Sequence, residues 1–138
     1  MTETFTEYEA PSNPSGVRRL GADSKGNVWF SEYAANQIGS LDPKTGKITE
    51  IKLPLKYTHP YETWADKQDN VWTTSHFYNS LIYYDRTMKR FTYYPWPQGT
   101  HWSVPKVEVD IVSRRIVSRA PAGAWGRDAP LSRSHCHR

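Results

Sequence analysis

The chain has 138 residues, room for one ordinary domain, and its 37% hydrophobic and 14% aromatic content supports a packed core, which excludes a disordered polypeptide. Its formal charge of +4 sits in the tail: residues 1–110 hold twelve Lys and Arg against thirteen Asp and Glu, whereas residues 111–138 hold six Arg against one Asp. With a near-neutral body, one cysteine (Cys136) and no long apolar run, the sequence offers no nucleic-acid stripe, disulfide framework, cysteine zinc site or membrane insertion.

Taken in chain order, the sequence repeats itself. Ala22-Asp23 matches Ala65-Asp66, Asn27-Val28-Trp29 matches Asn70-Val71-Trp72, and Asn36, Asp42, Thr49 and Pro54 match Asn79, Asp85, Thr92 and Pro97, each at a spacing of 43 without a gap. Phe5, Thr6 and Pro11 fit one period earlier, so residues 1–15 read as the outer strand of a neighbouring unit. Residues 16–58 form one unit. Alternating, β-branched and aromatic runs predict strands at Val17 to Ala22, Val28 to Tyr33, Gln37 to Leu41 and Ile48 to Leu53. Residues 59–101 form the second, with strands expected at Tyr61 to Ala65, Val71 to Phe77, Leu81 to Tyr84 and Phe91 to Trp96.

The turns carry their own chemistry. In Asp23-Ser24-Lys25-Gly26 the carboxylate bonds nearby backbone and glycine supplies positive φ, and Asp42-Pro43-Lys44-Thr45-Gly46 is built on the same logic. Residues 102–110 start a third unit. After Asp110 the pattern fails: six Arg and no Lys follow eight earlier Lys, and residues 111–138 read as an aberrant or disordered basic tail, which a shifted reading frame or a cut gene would produce.

A four-stranded antiparallel meander of 43 residues, repeated, predicts an all-β fold: a fragment of a β-propeller with two full blades plus parts. Trp29 and Trp72, on the second strand of each blade, are expected in the packing between blades. Ring closure takes about four to eight blades, so the missing blades of the same propeller are an expected partner. The Met-Thr-Glu-Thr start lacks the blocks of a secretion signal, leaving a soluble protein of the periplasm or the cytoplasm as the expectation.

Gly26-Asn27-Val28-Trp29-Phe30-Ser31-Glu32, Asn36-Gln37-Ile38-Gly39-Ser40-Leu41 and Ile48-Thr49-Glu50 resemble the repeat of the streptogramin B lyase (virginiamycin B lyase) family, a likeness that runs to about residue 110 and includes His59-Pro60-Tyr61. The second unit departs from it, with Glu62-Thr63 and Thr73-Thr74-Ser75 in place of the family's Gly-Ile and Phe-Thr-Glu, closer to sensor-protein propellers. The resemblance implies a seven-bladed ring that opens a cyclic depsipeptide by Mg²⁺-assisted elimination at an ester, using His and Glu on one face. Such chemistry needs a base for the α-proton and a cation for the enolate.

The loops on one face then supply the candidates. Glu32 and His76 are the candidate catalytic residues, and His59, Tyr61, His101 and Trp102 the candidate substrate-binding residues; no metal ligands are assigned, and Mg²⁺ is expected only in the complete protein. The alternative is a non-catalytic propeller that binds a small-molecule or peptide ligand or acts in a sensor, since one fold hosts many functions.

Overall fold

A computed structural model of the chain describes residues 4–95 in full and the backbone of 106–110 and 115–119. The first sheet contains β1 (Val17–Ala22), β2 (Val28–Glu32), β3 (Gln37–Asp42) and β4 (Lys47–Lys52). The second contains β5 (Pro60–Ala65), β6 (Val71–Ser75), β7 (Ser80–Asp85) and β8 (Arg90–Pro95). In each, the strands pair antiparallel in sequence order. A hairpin follows, β9 (Lys106–Asp110) with β10 (Arg115–Arg119). The eight strands of the two full blades lie within two residues of the expected bounds.

Turn chemistry sets those bounds. Asp23 Oδ1 accepts the N–H groups of Lys25 and Asn27, and Asp66 Oδ1 accepts those of Gln68 and Asn70. The backbone repeats more faithfully than the residue types. Left-handed φ occurs at Gly16 and His59, Gly26 and Asp69, Asn36 and Asn79, and Gly46 and Lys89, four pairs that each share one place in the repeat.

The inner strands β1 and β5 lie side by side, and β9 lies beside β5, which is the arrangement of blades around an axis. Gly21 of β1 permits this closeness: a Cβ there would come 2.8 Å from the Thr63 carbonyl oxygen. Side chains alternate along β2, so Trp29 and Ser31 face the second blade while Phe30 and Glu32 face away. Trp29 and Ile38 pack with Val71 and Tyr84, with Ile51 and Phe91 at the edge. Burying each of these large side chains stabilises the pair of blades by roughly 1.5–3 kcal/mol.

The two indoles are held alike. Trp29 Nε1 donates to Asp23 Oδ2 at 3.1 Å and Trp72 Nε1 to Asp66 Oδ2 at 3.0 Å. Trp29 is buried, whereas Trp72, on the far face of its blade, is half-buried against Tyr83 and Tyr94. At the turn end the blades are cross-linked: Arg86 reaches Asp23 Oδ2 at 3.1 Å and lies over the Trp29 ring, and Ser24 donates through N and Oγ to the Asp69 carboxylate.

Residues 4–10 form no strand. A lone outer strand needs the ladder of its own blade, and β1 to β4 are already paired with one another. Residues 11–16 still take the place of an interblade connection, because Gly16 accepts from Tyr33 N as His59 accepts from His76 N. Among the described residues, no helix is long and apolar enough to cross a membrane.

Candidate functional site

The face opposite the Asp23 turn is formed by the β2–β3 turn, the β6–β7 turn and the connection from β4 to β5. Asn36 organises it. Its Oδ1 accepts the N–H of Thr58 at 2.7 Å and of His59 at 3.2 Å, and its Nδ2 donates to Leu55 O at 2.8 Å. Thr58 is buried; its Oγ1 donates to Leu55 O, and its carbonyl accepts Ser75 Oγ from the second blade at 2.7 Å. The connection is thereby tied to both blades.

That anchoring maintains an unfavourable backbone. Tyr57 and His59 both have left-handed φ, at 58° and 48°, a conformation that costs on the order of 1 kcal/mol for a non-glycine residue. The result is to turn His59 onto Tyr33, with the rings stacked at 4.6 Å. His59 Nδ1 lies 3.1 Å from Tyr33 O. A carbonyl only accepts, so Nδ1 carries the proton and, in the neutral ring, Nε2 is the acceptor.

Around this stack stand three more side chains. Tyr33 Oη is 3.1 Å from His76 Nδ1, the Tyr61 ring lies 6.1 Å from that of His76, and the Arg18 guanidinium sits 5.0 Å above Tyr33 and 5.9 Å from Tyr61. Tyr57, 65% exposed, tilts toward His59 at 6.4 Å. The arrangement is a platform of flat rings with hydrogen-bonding edges and one cation, suited to gripping a ligand with a planar, polar group.

The structure thus brings together His59, Tyr61 and His76. Glu32 is elsewhere. It ends β2 pointing away from Tyr33, fully buried, where Oε2 accepts a hydrogen bond from Gln37 Nε2 and Oε1 has no hydrogen-bond partner among the described residues. Burial, helped by the nearby Glu50 carboxylate, pushes its pKa above the ordinary value. Glu50 itself accepts Ser12 N and Oγ; burial acts to raise its pKa, but those donors hold it below the ordinary value. His101 and Trp102 lie outside the described residues.

Sequence reasoning missed Tyr33 and Arg18. The signal was the period itself: Tyr33 occupies the place of His76, and Arg18 that of Tyr61, one blade earlier. A Mg²⁺ ion does not fit the platform, because Mg²⁺ takes carboxylate and other hard oxygen ligands, whereas these donors are imidazoles and phenols beneath a guanidinium. No group of three or more His, Cys, Asp or Glu able to hold a metal occurs among the described residues.

No protein-family model matches the chain, and no curated protein matches it in sequence. Solved structures do. A streptogramin B lyase structure superposes over 88% of this chain and 47% of its own, with a TM-score of 0.69 and 22% identity. A catalytically inactive variant of virginiamycin B lyase from Staphylococcus aureus with quinupristin covers 86% of this chain and 46% of its own, at 0.68 and 25%. The extracellular domain of a one-component system from B. thetaiotaomicron covers 85% of this chain and 15% of its own, at 0.60 and 15%. The chain spans about half the length of the lyase structures it matches. In fold, it is a β-propeller fragment similar to the streptogramin B lyase structures.

Proposed function

We propose that these two blades supply one ligand-binding face of a streptogramin lyase-like propeller, and that the face takes a small-molecule or peptide ligand. The supporting observation is the platform of Tyr33, His59, Tyr61 and His76, assembled across the blade boundary on a connection that maintains two strained residues. Backbone strain of this kind concentrates where a ligand is held. The remaining blades of the same ring are the other partner.

A second reading, carbon–oxygen elimination on a cyclic depsipeptide or related ester, is supported by the likeness to streptogramin B lyase structures. Within this chain His59 Nε2, the ring nitrogen not engaged by the Tyr33 carbonyl, offers an acceptor for a proton. A carboxylate set able to hold a metal cation is not found on this face among the described residues, so under this reading the missing blades provide it.

The test is calorimetric titration of the full chain with quinupristin, followed by mass analysis of the recovered peptide. Binding supports the first reading, and the second is tested by the same mass analysis with Mg²⁺ on the ring completed by its missing blades, where a depsipeptide left unopened overturns it. Absence of binding overturns the first.

A further inference from the structure

Arg18 has a guanidinium with five N–H donors, and none of them reaches a protein acceptor among the described residues. Among the described residues it lies over the faces of Tyr33 and Tyr61. The other cation contact of this kind, Arg86 over Trp29, is neutralised by Asp23. Among the described residues, Arg18 has no such counter-charge. It stands near the start of the inner strand β1, beside the end of β2, on the same face as His59 and His76.

A guanidinium lying over rings keeps its edge free, and that edge presents paired, coplanar N–H groups. This fork matches the two oxygens of a carboxylate, whose plane can then continue over the Tyr and His rings. We propose that Arg18 forms an anion subsite and that the ligand of this face carries an aromatic or otherwise planar carboxylate. The proposal rests on the ligand-binding reading above and adds the charge and shape of the group recognised.

The test is a nuclear magnetic resonance titration of the full chain with benzoate, with its neutral isostere benzamide, and with inorganic phosphate, read at the His59 and His76 imidazole protons. Benzoate is expected to bind about tenfold or more tightly than benzamide, with phosphate weaker than benzoate. In R18Q, with the Trp29 indole resonance unchanged as a folding control, benzoate falls to the level of benzamide. Equal binding of benzoate and benzamide by the unmutated chain overturns the proposal without any variant, and so does phosphate binding as tight as benzoate. If quinupristin binds while the benzoate preference is absent, the anion subsite fails and the ligand-binding reading survives.

Discussion

Tyr33 and His76 stand at the same place in consecutive blades, 43 residues apart, and meet across the blade boundary with phenol oxygen and imidazole Nδ1 3.1 Å apart. The repeat therefore makes contact with itself at the platform. Replacing Tyr33 with Phe removes the hydroxyl and leaves the ring. The ring nitrogens of His76 should shift in a ¹⁵N spectrum, the stack on His59 should persist, and stability should fall by under about 1 kcal/mol, because the pair is exposed.

Asn36 holds the strained connection in place. N36A removes both acceptor contacts to Thr58 and His59 and the donor contact to Leu55, and alanine tolerates left-handed φ poorly. A loss of about 2–3 kcal/mol is expected in urea unfolding. N36G, which keeps the backbone freedom, should be milder in stability yet still release His59 from Tyr33, seen as a changed His59 ring resonance.

Asp23 and Asp66 do the same job with unequal company. Both accept an indole and cap a turn, but Asp23 also meets Arg86 across the boundary and has a fully buried side chain. D23A should cost about 2–4 kcal/mol, for the buried donors it strands, against about 1–2 kcal/mol for D66A. Equal losses from the two variants would show that Arg86 contributes nothing to blade docking.

The carboxylates also fix the direction of the pH response. Burial tends to raise the Asp23 pKa, but Asn27, Trp29 and the turn N–H groups outweigh it and hold it below the ordinary 3.8. Its contribution to stability is therefore full above that value and lost as pH falls through the depressed one. Glu32 runs the other way. Its pKa is raised above 4.5, so the folded state binds the proton more tightly, and stability declines as pH climbs from 4.5 to the raised value. E32Q, which keeps an acceptor for Gln37, should flatten that decline in urea midpoints measured across the range while leaving the Asp23 limb intact.

The strands and turns were legible because each local signal agreed with the period: Asp at the turn start, alternation in β2, Trp at a constant place. The candidate site was half legible. His59 and His76 stand out as histidines in loops, whereas Tyr33 and Arg18 share their places in the repeat under different residue types. Glu32 adjoins the same loop, but strand alternation groups it with Val28 and Phe30, on the side facing away from the second blade. The strain at His59 was not legible either, since its counterpart Gly16 takes positive φ freely and only the Asn36 contacts reveal how histidine is held there.

The most direct measurement is a nuclear Overhauser spectrum of the intact chain, read between the Tyr33 ring and the imidazole protons of His59 and His76. Cross-peaks from Tyr33 to both are expected, given ring centroids 4.6 and 5.8 Å apart. A folded chain whose Tyr33 showed contact with neither histidine would contradict it.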